Sequence, residues 1–162
     1  MIKKILLLSD NRTNWEGNRG SIFKFLKTGS SLRLSYDLRK EGYEVKQIHS
    51  CLSFTMEEIN TIFDNFSSGD EVVVGISTSF INSNSENFYS WGDETYNFLM
   101  NVLPLLKTKK SKIIMGGFLV KSKNFKMQGY REKFCLDKIS EYVDYFLEGN
   151  SVNLIEIGRA HV

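Results

Sequence analysis

Residues 71–77 read Glu-Val-Val-Val-Gly-Ile-Ser, a run of strand length that is β-branched and apolar on both faces. A strand with one wet face alternates apolar and polar residues. A run without alternation belongs inside a sheet covered on both sides, as parallel sheets are. Two further runs share this character, "IKKILLLS" (2–9) and "SKIIM" (111–115). "YEVKQI" (43–48) alternates, as a half-buried strand nearer an edge does, and a short fifth strand is predicted in "DYFLEG" (144–149).

Amphipathic helices stand between these strands. In "SSLRLSYDLRKEG", Ser31, Leu34, Ser35 and Leu38 recur at i, i+3, i+4 and i+7, and Gly42 supplies a C-terminal stop. Thr55-Met56-Glu57-Glu58 is a capping box, with Phe54 and Ile59 placed as its hydrophobic staple. The helix behind it carries Ile59, Ile62, Phe63 and Phe66 on one face. A third helix from about Asp93 has Thr95, Phe98, Leu99, Val102 and Leu106 on one side. Pro104, the only proline, is expected to kink or thin its last turns. A short helix is predicted around Phe134–Tyr142. This alternation predicts an α/β fold, Rossmann-like or flavodoxin-like: a doubly wound sheet of five parallel strands in the order 2-1-3-4-5.

The length of 162 residues suits one domain, and 41% hydrophobic with 25% charged residues is an ordinary globular composition. A formal charge of +2 is too close to neutral for a phosphate-tracking surface, so no nucleic-acid partner is expected. The basic cluster "KTKKSK" (107–112) falls where a helix ends, where cations complement the carbonyl end. No apolar run is long enough to cross a bilayer, and "MIKKILLLSD" lacks the cleavage site of a signal peptide. Cys51 and Cys135 match no CxxC spacing and read as reduced thiols of a cytoplasmic protein, with no zinc or iron–sulfur site expected in this stretch.

Ligands of such sheets bind beyond the carboxyl ends of the strands, at the switch point between strands 1 and 3. The loop after strand 1 offers Ser9, Asp10 and Asn11, followed by Arg12, Thr13 and Asn14. Strand 3 is followed by Ser77, Thr78 and Ser79, and strand 4 by Gly116 and Gly117. Hydroxyls and bare backbone N–H groups suit a polar tail such as phosphate, ribose or amide. Phe80, Phe88, Tyr89 and Trp91 are placed to cover a large flat molecule. No catalytic constellation is present: there is no GxSxG elbow, no Walker lysine and no GxGxxG after strand 1. His49, at the far end of strand 2, reads as a surface or packing residue. A phospho-acceptor receiver is disfavoured because strand 3 ends in Ser-Thr-Ser without the acceptor aspartate.

The pieces "SLRLSYDLRKEGYEVKQIHS", "EEINTIFDNFSSGDEVVVGIS", "SKIIMGG" and "ISEYVDYFLEGNS", in that order, resemble the amino-terminal B12-binding domain of radical SAM enzymes over residues 2–154. The resemblance implies cobalamin held at the strand ends, the corrin lying over the carboxyl edge. It implies that Ser77 and Thr78 lie near the nucleotide tail, that Gly116 and Gly117 let the tail run against the backbone, and that Gly149 follows the last strand. The D-x-H-x-x-G signature is absent, since Asn11 and Arg12 follow Asp10 with no histidine, and Asn150 replaces the usual glutamate. No protein ligand to the metal is therefore expected. The alternatives are a flavodoxin-like module for a flavin or nucleotide, and a degenerate, ligand-free scaffold.

The ending "EIGRAHV" matches the translation of a common sequencing adapter, from the last bases of Glu156 through Ile157 to Val162. The expectation is a B12-binding-type domain over 1–155 and a non-native tail over 156–162. No C-x-x-x-C-x-x-C motif is present. The resemblance accordingly puts the iron–sulfur cluster, S-adenosylmethionine and the catalytic work in a radical SAM domain downstream, covalently linked. The stretch at hand is expected to be non-catalytic, and marginally stable alone because an apolar sheet face would lack its last helix.

Overall fold

Five strands lie side by side: β1 (Lys4–Asp10), β2 (Glu44–Ile48), β3 (Val72–Ile81), β4 (Ser111–Gly116) and β5 (Tyr145–Leu147). Every pairing is parallel and the order is β2-β1-β3-β4-β5, which is the predicted topology. The helices are α1 (Gly29–Lys40), α2 (Met56–Ser67), α3 (Asp93–Lys107) and α4 (Leu136–Ser140), with a 3-10 turn at Cys51–Ser53. The computed structural model describes residues 3–10, 29–81, 93–116 and 136–147, with backbone alone at positions 10, 29, 30, 77–81, 93–96, 136 and 137.

Alternation along the strands sorts the core into two layers. Leu6 and Leu8 of β1, Val72, Val74 and Ile76 of β3, and Ile113 and Met115 of β4 face α2, α3 and α4. Ile59, Phe63 and Phe66 of α2 and Phe98, Leu99, Val102, Leu103 and Leu106 of α3 complete this larger layer, with Ile139 from α4. Each such side chain, fully buried, stabilises by about 1.5–3 kcal/mol. The opposite face is smaller among the described residues: Ile5 and Leu7 of β1, Val45 of β2 and Leu38 of α1, with Leu34, Tyr43 and Val73 against them. Helices on both faces make the sheet doubly wound.

The helix boundaries follow the expected local chemistry. Thr55 accepts from the Glu58 N–H while the Glu58 carboxylate accepts from the Thr55 N–H at 2.8 Å, closing the capping box. Phe54 packs against the core layer that buries Ile59, as a staple would. After α1 the chain turns through Gly42 at φ +88, a left-handed conformation that a Cβ disfavours. Pro104 lies within α3, and the helix still runs to Lys107, where the Thr108 N–H reaches the carbonyls of Pro104 and Leu105. The one substantial departure is β3. It was expected to end at Ser77, yet it continues to Ile81, because β4 offers Gly116 as a partner to Ser77 and β1 offers Asp10 to Ile81.

Ion pairs between elements gather at the amino edge of the sheet. Lys4, the first residue of β1, bonds the Ser67 carbonyl at the end of α2 at 2.9 Å and the Asp70 carboxylate at 2.9 Å. The hydrogen-bonded ammonium holds the Asp70 carboxyl below its ordinary value. Lys109 reaches Asp64 at 2.9 Å and Lys107 reaches Asp144 at 2.7 Å. The basic cluster therefore meets specific carboxylates on α2 and before β5, beyond the general complement to a helix end. The outer edge of β2 has its own partner. The Glu44 N–H bonds the Lys3 carbonyl on the β1 side, so the neighbouring Val45 carbonyl turns outward, where Arg39 Nη2 donates to it at 2.8 Å.

Asp144, just before β5, is bonded to both β4 and α3. Its Oδ2 accepts the Ile113 N–H at 2.8 Å, its own N–H donates to the Ile113 carbonyl at 2.9 Å, and its Oδ1 takes Lys107. Partial burial pushes this carboxyl up, but the Ile113 N–H and Lys107 outweigh it and hold the carboxyl below the usual range. A lowered folded value means that the ionised group stabilises fully above about pH 4, its unfolded value, and that this is lost as pH falls through the folded value. Asp144→Ala should cost about 1–3 kcal/mol at neutral pH, from the orphaned Ile113 N–H. Urea titrations of both proteins from neutral to acid pH should show the gap narrowing only below about pH 4. A gap that stays constant down to acid pH would mean the carboxylate's charge contributes nothing.

Candidate functional site

All strands run one way, so their carboxyl ends share one edge, and the sequence-predicted site residues divide along it. Ser77, Gly116 and Leu147 stand in one register row across β3, β4 and β5. The serine and the first glycine of the predicted site are thus brought together as direct partners. Ser77, Thr78 and Ser79 lie within β3, not in a loop after it. The register there is irregular: Leu8 pairs with Ile76 but Asp10 pairs with Ile81, so the four residues 77–80 stand opposite Ser9 alone. Excursions of this kind interrupt a ladder and re-aim the chain. This one falls at the β1–β3 switch point. Asn11, Gly117, Gly149, Phe88, Tyr89 and Trp91 lie outside the described residues.

Ser9 is placed differently from a ligand-facing hydroxyl. It is 1% exposed, and its Oγ donates to the Ile48 carbonyl at the end of β2 at 3.3 Å. That proton ties the carboxyl ends of β1 and β2 together. His49 follows directly, half-buried, beyond the edge strand. β1 separates it from β3. Cys51 is fully buried in the larger core layer and unbridged.

The two strand glycines have different physical causes. A Cβ on Gly75 would come within 2.8 Å of Leu7 Cδ2, closer than real Cβ contacts come, so this glycine makes room for the side chain of its β1 partner. At Gly116 the nearest described atom would be Leu147 Cβ at 3.4 Å, an ordinary contact. Gly116 is also only partly buried. Packing among the described residues accounts for the first glycine and leaves the second without a steric reason.

Beneath α1 the carboxyl half of the smaller face is lined with hydroxyls. Ser31 and Ser35 are 6% and 1% exposed, and Ser9 lies on this side of β1, in alternation with Ile5 and Leu7. The sequence reading had used Ser31 and Ser35 only to define the helix face. The usable signal was that two apolar positions of an amphipathic pattern were filled by serine. Among the described residues, no group of three or more His, Cys, Asp or Glu comes together. No described helix is long and apolar enough to cross a membrane.

Compared with protein-family models, the chain matches none, and no curated protein matches it.

The contrast between the glycines is measurable. Gly75→Ala should destabilise by about 1–3 kcal/mol through overpacking against Leu7, whereas Gly116→Ala should stay within about 0.5 kcal/mol of the parent. Thermal melts of both variants check this, and equal losses would remove the distinction.

Proposed function

We propose that this chain is a cobalamin-binding-type domain of the kind that stands amino-terminal in radical SAM enzymes, with a site at the carboxyl edge of the strands. The observation that carries the reading is Gly116. It ends an inner strand, it is partly exposed, and its described neighbours would accept a Cβ without strain. A bare backbone there serves a ligand that must lie against it. The doubly wound order, the β3 excursion at the switch point and the pairing of Ser77 with Gly116 support the same location.

These residues fit a tailed cofactor. In this reading the backbone of Gly116 and Gly117 lets the tail approach, Ser77 and Thr78 supply hydroxyls beside it, Ser79 belongs to the excursion that Asp10 borders, and Gly149, which follows β5 in sequence, completes the set. Asn11 follows at the end of β1. Ser9 contributes by fixing the ends of β1 and β2, since its proton is already committed to Ile48. No side chain in the set is a ligand to cobalt. When bound, cobalamin would supply a cobalt centre for methyl or radical chemistry in partnership with a radical SAM domain. The iron–sulfur cluster and S-adenosylmethionine belong to that other domain, and the chain here holds and orients without catalysing.

The test is direct binding. The purified chain is mixed with hydroxocobalamin or with FMN, passed through a desalting column and scanned. Retention of the corrin spectrum, lost by at least about tenfold in Gly116→Val at unchanged circular dichroism, supports the proposal (a loss of more than about 1.4 kcal/mol of binding). Retained flavin points to the flavodoxin-like alternative. Retention of neither points to a ligand-free scaffold.

A further inference from the structure

Among the described residues, two buried polar groups under α1 find no hydrogen-bond partner: Ser35 Oγ and Gln47 Nε2. Each lies on the α1-facing side. Ser35 shares the buried helix face with Leu38, three residues on, and Gln47 alternates with Val45 on β2. Their levels match as well. Leu38 and Val45 belong to one cluster, and Arg39, beside Leu38, bonds the Val45 carbonyl at 2.8 Å. α1 runs antiparallel to β2, so stepping back from Leu38 to Ser35 moves about 4.5 Å toward the carboxyl edge. Stepping forward from Val45 to Gln47 moves about 6.6 Å the same way. The hydroxyl and the amide therefore come to the same depth of the α1–β2 layer.

A buried polar atom left unmatched is costly, and native structures rarely keep one. Two at one level, each shielded from bulk solvent, point to a shared guest. We infer that α1 and β2 enclose an ordered water molecule bridging Ser35 Oγ and Gln47 Nε2. Water suits the pair because it donates and accepts at once. It takes the amide N–H, and it can give a proton to the serine oxygen or receive one from it. It also has the small size that a gap between closely packed elements admits. The cofactor reading uses neither Ser35 nor Gln47, and its central row crosses β3, β4 and β5.

The first test uses the unmodified chain. Cross-relaxation spectra should show a contact between the Gln47 side-chain amide protons and a water resonance of negative-NOE sign, the mark of a long-lived bound water. The second is a double-mutant cycle of Ser35→Ala and Gln47→Leu, which cancels the change in helix propensity at position 35. A shared water makes the melting-temperature changes non-additive by about 3 °C. Detecting the slow water contact, with coupled melting changes, supports the inference. No slow water at Gln47, or additive changes in the cycle, overturns it.

Discussion

Parallel pairing throughout is the constraint on which the rest depends. With all five strands running one way, every residue that precedes a strand falls at one edge and every residue that follows falls at the other. The two edges have acquired different chemistry. At the amino edge Lys4, Lys107 and Lys109 pair with Asp70, Asp144 and Asp64, and Asp144 fastens β4 to the start of β5 through the Ile113 backbone. At the carboxyl edge the strands end on Asp10, Ile48, Ile81, Gly116 and Leu147, with Ser9 and Ser77 beside them. Among the described ion pairs, those joining different elements tie them together at the amino end.

The centre of the sheet shows why packing and site chemistry must be separated before function is argued. Gly75 and Gly116 both interrupt apolar strands on the same face, yet Leu7 fills the space above the first, while among the described residues the second meets Leu147 at ordinary distance. A glycine explained by a neighbouring side chain carries no information about a ligand. Gly116 has no such explanation among the described residues, and it sits in register with Ser77 at the edge where doubly wound sheets take their ligands. Ser9 is the converse case. It has the right residue type at the right strand end, and its hydroxyl is nevertheless used inside the protein.

Much of the fold was legible in the sequence because its signals are local. The unalternating run at 71–77, the capping box at Thr55 and the turn at Gly42 each act over a few residues, and each has its expected counterpart in the structure. What escaped was set by partners distant in sequence. The extension of β3 depends on what β1 and β4 offer it. The reason for Gly75 lies on Leu7, and the destination of the Ser9 proton is the end of β2. The basic cluster was read through its own helix, whereas its carboxylate partners come from α2 and the approach to β5. For the site itself, composition suggested which edge to inspect but could not separate a hydroxyl turned inward from one left for a guest.

The bond from Arg39 to the outward carbonyl of Val45 bears on how the molecule behaves in company. A sheet edge with unused acceptors is a template on which a neighbouring chain can add its own strand. Here a guanidinium already occupies one of the acceptors such an addition would need, and it places a fixed positive charge in the path of any incoming backbone. One acceptor on the flank beside β2 is thereby already taken, and the charge beside it disfavours the docking of a further strand there.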